Sequence, residues 1–411
     1  MLIIYRILIN IIFILSPLIF FYRIFKKKES LYRFIEKLSF FSKKRKRGNL
    51  IWFHGASVGE LKSIIPLLEK FEKNKQIKQI LITSNTLSSA KIINKLKLRK
   101  ITHQFFPIDS NFLIKKFLNY WQPKKAIFID SEIWPNTIIN LKKFNIPIIL
   151  INARITNKTF KRWMTISSLS KKIFSKIDLC LASSKESFRY LKILNVKKIK
   201  LIGNLKFTQS KNQKISKIKN LEKYLKKKKY WCASSTHNNE EVICAKTHLE
   251  LKKKFKNLST IIIPRHINRC EEIKKKLEKF HLKIQIVNNL KNLNSNSDIL
   301  LINLYGQNEL IFKYIKHVFL GGSLINHGGQ NPIEPAIFGC NILHGPNVEN
   351  FKEIYKFLKK NKISFEVNNQ QQLTNKLSKL FNQNIKFNSI EKKLSSIGKN
   401  ILEKSYKQID I

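Results

Sequence analysis

The sequence predicts an α/β protein in which an apolar N-terminal segment precedes two successive α/β domains of similar size. Three observations carry that prediction. Short apolar runs of three to six residues, most of them rich in Ile, alternate with longer amphipathic, Lys-rich segments. This is the pattern of buried parallel strands joined by crossover helices. One polar stretch, residues 206–229, interrupts the alternation and reads as an interdomain linker with a short helix. The chain has 411 residues, a length for two or three domains, and 43% are hydrophobic, which excludes disorder throughout.

Leu2–Tyr22 is an apolar run carrying Arg6, Asn10 and the pair Ser16-Pro17. No small-x-small cleavage site follows it, so a membrane anchor is favoured over a cleaved signal. The anchor either spans once or lies in the interface. Lys26-Lys27-Lys28 and Lys43-Lys44-Arg45-Lys46-Arg47 come next. Basic residues there hold the following domains on the cytoplasmic face of the inner membrane and attract its anionic lipids. The expected organisation is 1–47 anchor and basic flank, 48–205 first domain, 206–229 linker and 230–411 second domain. The last helices of the second domain are candidates for packing back on the first.

The expected strands of the first domain are Leu50–Phe53, Gln79–Thr83, Ala126–Ile129, Ile146–Ile151, Leu179–Ala182 and Ile199–Ile202. Those of the second are Tyr230–Ala233, Thr260–Ile263, Lys283–Val287, Ile299–Ile302, Val318–Leu320, Asn341–Leu343 and Ile363–Val367. In open α/β sheets ligands bind beyond the carboxyl ends of the strands, so the residues after each run are the candidate site.

Lys and Arg number 79 against 26 Asp and Glu, a formal charge of +53, and only 11 of the cations are Arg. Abundant Lys, Ile, Asn and Phe match A/T-rich codon usage; the alternative is an anionic partner. The basic runs at 26–28, 43–47 and 226–229 contain no aromatic residue, so a nucleic-acid partner is not expected. Five Cys, an odd number without a CxxC pair, indicate neither a disulfide framework nor a Cys-based zinc site.

After the first strand comes His54-Gly55-Ala56-Ser57-Val58-Gly59-Glu60. Ser57 and Glu60 are spaced as a capping box, and Glu60 is equally placed to be a general base. Asp130-Ser131-Glu132-Ile133-Trp134-Pro135-Asn136 follows another strand. Asp130 and Glu132 share strand parity, so they either raise one another's pKa or act as helix N-terminal acids. Arg154 follows the strand ending at Ile151 and is a candidate anion ligand. In the second domain Ser235 and Thr236, leading into Glu240-Glu241, read as a capped helix N-terminus able to hold an anion. Arg265-His266 after the next strand suits phosphate contact.

Seven of the twelve Gly lie between Gly306 and Gly345, around Gly321-Gly322-Ser323-Leu324-Ile325-Asn326-His327-Gly328-Gly329-Gln330-Asn331-Pro332-Ile333-Glu334. Backbone amides of such a loop form anion nests, and Glu334 on the first helical turn is placed to accept from ribose hydroxyls. The pattern is neither a Walker A motif nor GxGxxG.

Together HGASVGE, DSEIWPN, NARIT, GNLKF, ASSTHNNEE, PRH, GGSLINHGGQNPIEPA and GPNVENF resemble, in this order, the 3-deoxy-D-manno-octulosonic acid (Kdo) transferases. The resemblance spans nearly the whole chain. It implies a GT-B fold, two Rossmann-like domains facing across a cleft. It implies inverting transfer of Kdo from CMP-Kdo to a lipid A precursor, without a bound catalytic metal or other cofactor. It places the catalytic base on Glu60 and nucleotide-binding elements on Arg265, Ser323, Asn331 and Glu334, with His266, Gly322 and Gly329 beside them. There are departures. Asn303 and Gln307 stand where many members have acids, and Thr208 stands where many have Asp. The rival readings are another GT-B envelope sugar-nucleotide transferase or epimerase, and a non-catalytic membrane-tethered nucleic-acid-binding protein.

Overall fold

Among the described residues fourteen strands form two sheets of seven, and every neighbouring pair in both sheets is parallel. The structure is a computed structural model describing residues 1–208, 219–226, 228–383 and 390–409. The chain divides into two units, Met1–Gln209 with Ile397–Ile411, and Ser210–Ser396. Much of the expected linker, residues 209–218 and 227, lies outside the described residues.

The first unit holds β1 (Asn49–His54), β2 (Ile77–Ser84), β3 (Ile101–Phe105), β4 (Lys125–Ile129), β5 (Ile148–Ala153), β6 (Leu179–Ala182) and β7 (Ile199–Leu201). Their spatial order is β3-β2-β1-β4-β5-β6-β7, so the direction of winding reverses between β1 and β4. The second holds β8 (Lys229–Thr236), β9 (Leu258–Pro264), β10 (Ile284–Val287), β11 (Ile299–Ile302), β12 (His317–Leu320), β13 (Asn341–His344) and β14 (Ser364–Glu366). Their order is β10-β11-β9-β8-β12-β13-β14, with the reversal between β8 and β12. Beyond the carboxyl ends at such a reversal, neighbouring loops diverge to opposite faces and leave a crevice.

Both faces of the first sheet are covered, which is why its strands read as continuous apolar runs. Leu50, Trp52 and Phe128 pack on one face, and Ile51, Phe53, Ile80, Ile127 and Ile129 on the other. Ile401 and Ile409 of the last helix join the second of these clusters, and Tyr406 lies 4.8 Å from Phe71. Each fully buried Ile, Leu or Phe contributes about 1.5–3 kcal/mol.

Strand β3 is not among the expected runs because polar residues interrupt it. His103 and Gln104 are buried there with partners, Ser84 Oγ at 2.9 Å and the Trp121 indole N–H at 3.1 Å. Strand β5 begins two residues later than expected, since Pro147 has no N–H for the ladder, and it runs on through Asn152 and Ala153.

The helix Leu2–Phe25 is long and apolar enough to cross a membrane, and 6% of its most apolar window is buried. It touches the rest of the first unit by apolar and polar side chains alike: Phe20 is buried 5.5 Å from Phe34, and Leu2 packs on the core. The Tyr5 hydroxyl donates to Asp109 at 2.6 Å and Arg6 Nε to Asn136 at 3.0 Å. Residues 29–46, read from the sequence as part of a basic flank, are built into this unit. Glu36 is fully buried and accepts from Arg33 Nε and Phe105 N, both at 2.8 Å. Arg45 Nε donates to the Trp121 carbonyl at 2.7 Å.

Candidate functional site

In the first unit the winding reversal gathers Glu60, Asp130 and Glu132. Glu60 opens the helix Val58–Lys73, whose N-cap is Ser57. Its carboxylate accepts from Ala56 N and from the Ser57 hydroxyl, both at 2.7 Å, while Glu60 N donates to Ser57 Oγ at 3.3 Å. The capping contacts read from the sequence are therefore present. So is a perturbation that capping does not produce. Burial first, then the charges of Asp130 and Glu132, push the Glu60 pKa up to about 7 against the pull of those hydrogen bonds.

Strand parity does not bring the other two acids together. Strand β4 ends at Ile129, and Asp130 turns into the left-handed region at φ +57. Asp130 is held by the Asn152 side-chain amide, whose Oδ1 accepts from Leu205 N at 2.8 Å. Glu132 is fixed by a hydrogen-bond chain that the sequence did not reveal. The Trp52 indole donates to Thr83 Oγ1 at 2.9 Å, and Thr83 Oγ1 lies 2.9 Å from His54 Nδ1. His54 Nε2 lies 3.2 Å from Glu132 Oε2, which also accepts from Trp134 Nε1 at 2.9 Å. The carboxylate oxygen accepts from both, so Nε2 is the donor, while Nδ1 lies against the Thr83 hydroxyl and, at 3.2 Å, the Thr83 carbonyl. Arg154 N donates to the Asp130 carbonyl at 3.2 Å. Burial lowers the Arg154 pKa, opposed by Asp130 and Glu186.

The helix Pro135–Lys143 next to these acids is capped from elsewhere in the chain. Asp109 accepts from Asn136 N at 2.9 Å, Thr137 N at 2.8 Å and the Thr137 hydroxyl at 2.5 Å. Its carboxyl, nearly fully buried, is pushed up to about 6 by desolvation.

In the second unit the Gly-rich loop leaves β12 beside β8. Here the structure corrects the expected anion nest. The Glu240 carboxylate, fully buried, accepts from Gly322 N at 2.7 Å, Ser323 N at 3.1 Å, Leu324 N at 3.1 Å and His237 N at 3.0 Å. The loop amides already hold an anion, and it is a side chain of the protein. Ser235 and Thr236 are corrected with it. They belong to β8 and do not cap a helix, which begins only at Glu240 with Asn239 as N-cap. Ser235, at φ +56, makes the bulge that shifts the β8–β9 register between Ser234 and Thr236. That backbone lies against Gly321, where a Cβ would sit 2.6 Å from the Ser235 carbonyl. The Ser323 hydroxyl donates to the Leu320 carbonyl at 2.5 Å and accepts from Gly345 N at 2.8 Å, so it is spent within the loop.

Gly322, at φ +65, carries the His237 ring and the Gln330 amide over its α-carbon. Gly329, at φ +75, donates its N–H to the Gly322 carbonyl at 2.8 Å and folds the loop back on itself. Asn331 Oδ1 accepts from Ile333 N at 3.2 Å, and the half-buried Glu334 lies in the first turn of the helix Ile333–Ile337. Arg265 and His266 leave β9 with exposed side chains; Arg265 N donates to the Thr236 carbonyl at 3.0 Å. Asn303, a departure from the family pattern, donates to Asn288 Oδ1 at 2.7 Å; Thr208 donates to the carbonyls of Leu205 at 2.7 Å and Ser63 at 3.2 Å.

Two Rossmann-like sheets in one chain, each with its polar loops at the winding reversal, define the GT-B class of fold. A structural likeness agrees. A UDP-GlcNAc 2-epimerase from Neisseria meningitidis superposes at a TM-score of 0.60 over 87% of this chain and all of that one, at 14% identity, a likeness of fold alone. Residues 32–209 match the family described as 3-Deoxy-D-manno-octulosonic-acid transferase (kdotransferase). The chain is 34% identical over 342 residues to the 3-deoxy-D-manno-octulosonic acid transferase of Rickettsia prowazekii, covering 82% of this chain and 73% of that protein. It is 32% identical over 381 residues to that of Rickettsia bellii, covering 90% of each. The chain belongs to the Kdo transferase family.

Proposed function

We infer that this enzyme transfers Kdo from CMP-Kdo to a phosphorylated lipid A precursor, resembling lipid IVA, with inversion at the anomeric carbon. The acceptor lies on the first domain, residues 48–205, and the donor on the second, residues 230–411, joined through 206–229. The apolar helix Leu2–Phe25 keeps both on the cytoplasmic face of the inner membrane, where the Lys and Arg clusters attract anionic lipids.

The observation that carries this reading is the Glu60 carboxyl, pushed up to about 7 beside Asp130 and Glu132. An alcohol is a poor nucleophile at neutral pH, so a base poised near the working pH is needed, worth about 10²–10⁴-fold in rate. Glu60 takes the proton of the acceptor's primary hydroxyl as its oxygen bonds to the anomeric carbon of Kdo. The bond from that carbon to the CMP oxygen breaks, and CMP leaves with the electron pair. CMP is a stable anion, so no strong general acid is required. Arg265 and His266 neutralise the departing charge, and Glu334 accepts from the ribose. Ser323, Gly322, Gly329 and Asn331 give the loop its shape, and Arg154 faces acceptor phosphate.

Glu60→Gln tests the base. The expected variant folds and binds CMP, with Kdo transfer to a tetraacylated acceptor, read by mass spectrometry, at least ~100-fold slower. Near-normal turnover would move the base to Asp130 or Glu132.

A further inference from the structure

We propose that donor binding in the second unit is coupled to proton uptake at His237 and His266, which with His327 and Arg265 form a cluster that receives the anionic groups of the ligand. The proposal rests on the donor reading above and adds its proton linkage and two further residues, His237 and His327.

Two observations lead to it. First, Glu240 occupies the amides of Gly322, Ser323 and Leu324, so these three are closed to a second anion. Side chains then become the main source of positive charge for a ligand. Second, such side chains converge on the outer side of the loop. The His237 ring lies 4.1 Å from that of His327 and 6.1 Å from that of His266. The imidazoles come from three different loops, after β8, β9 and β12, and His266 and His327 are exposed. Among the described residues no group of three or more His, Cys, Asp or Glu is placed to hold a metal ion, so this is not a chelating set.

The charged groups around His237 are almost all cationic. Arg265, His266 and Arg269 face it from the segment after β9, and His327 from the Gly-rich loop. On the helix Glu240–Lys254, Glu240 is turned into the loop amides and Glu241 pairs with Arg269 at 3.1 Å. On the next helix Glu272 pairs with Lys276 at 2.6 Å. Gln330 Nε2, 3.4 Å from His237 Nε2, adds a neutral amide. Burial, then repulsion from these neighbours, lowers the His237 pKa to about 4, and His266 is lowered for the same reasons. Without ligand, His237 and His266 are therefore neutral at pH 7, and the site carries less charge than its composition implies.

An anion arriving among them reverses the sign of the local field and raises their pKa values. By linkage, the ligand then binds more tightly as pH falls through the raised pKa towards the free one. A phosphodiester together with a sugar carboxylate, the two charges of a CMP-linked Kdo, is the ligand chemistry that such a cluster suits.

The test is calorimetric titration of the full chain with the methyl ester of CMP, from pH 5.5 to 8.5. This phosphodiester lacks the ionisation near pH 6 of a phosphate monoester. Repeating it in two buffers of different ionisation enthalpy counts protons. The expected result is uptake of about half a proton or more at pH 6.5 and roughly 5- to 10-fold tighter binding at pH 6 than at pH 8. Both effects should shrink in His237→Gln and in His266→Gln, with folding checked by thermal melting. The exposed His266 keeps the test open if His237→Gln does not fold. Binding unchanged within about twofold across this range, without proton uptake, would overturn the coupling and leave the donor reading standing. A pH slope that survives in the folded variants would overturn the cluster as its source. A folded protein that binds the ester at no pH would remove the donor reading and the coupling together.

Discussion

Glu60 joins the contacts of a helix cap to the raised pKa of a candidate base. Its hydrogen bonds to Ala56 and Ser57 lower its pKa, yet burial and the two neighbouring acids win and push it up to about 7. Two outcomes follow at this scale. If Glu60 is the base, turnover should rise with pH along a limb near 7 and level off above it, because only the ionised carboxylate accepts a proton. A pH–rate profile of Kdo transfer checks this. The stability sign is opposite to that of a salt-bridged acid. Between the ordinary carboxyl value of 4.5 and about 7, the folded state holds a proton that the unfolded state has lost, so stability falls as pH rises. Above 7 that cost is fully present. Glu60→Gln should therefore gain melting temperature relative to wild type more at pH 8 than at pH 5, after allowance for the lost cap.

At the scale of elements, the Gly-rich loop is shaped from beneath. Four backbone amides converge on Glu240, and the bulge at Ser235 presses on Gly321, which has no side chain to obstruct it. Glu240→Ala leaves those buried amides without an acceptor, at about 1–3 kcal/mol for each one that finds no other partner. A loss of about 2 kcal/mol lowers the melting temperature by roughly 4–8 °C in a unit of this size. Calorimetric melting, with proteolysis of residues 321–331 as a local readout, checks it. An unchanged melt would mean that the loop keeps its shape by other contacts. Helix Pro135–Lys143 follows the same logic, since Asp109 from another segment caps it just after the acid motif.

At the scale of the whole molecule, the candidate membrane helix and the folded first unit meet in the N-terminal residues. Most exposed side chains of the first helix are apolar, Ile3, Ile7, Ile14 and Leu18 among them. Its polar Tyr5 and Arg6 are bonded to the first unit. Residues 29–46 are structural, with Glu36 and Arg45 tied to the β3 end and to Trp121. Replacing Ile3, Ile7, Ile14 and Leu18 by Ser should shift the enzyme from the membrane pellet to the soluble fraction with its melting temperature nearly unchanged. Deleting residues 1–47 should release it as well, but with a clearly lower melting temperature, because the buried contacts of Glu36 are lost. Fractionation and thermal melting of the two variants separate the effects. Full retention of the substituted protein in the pellet at high salt would assign attachment to other surfaces.

The sequence alone determined the class of fold and the place of the candidate site along the chain. Apolar runs at strand length are periodic and local, and the motifs after them fall where a parallel sheet exposes its carboxyl ends. Glu60 with Ser57, the acids at 130 and 132, and the Gly-rich loop were legible for that reason. Strand β3 was not, because His103 and Gln104 hide its burial behind partners that only the folded sheet supplies. Nor could sequence spacing show what fills the loop amides. Glu240 lies more than eighty residues before the amides of Gly322 to Leu324, and only the pairing of β8 with β12 brings them together. The same pairing and that of β8 with β9 collect His237, His266 and His327 from three separate loops. The pKa of Glu60 was equally a tertiary matter, since it depends on burial and on acids seventy residues away, which no local pattern encodes.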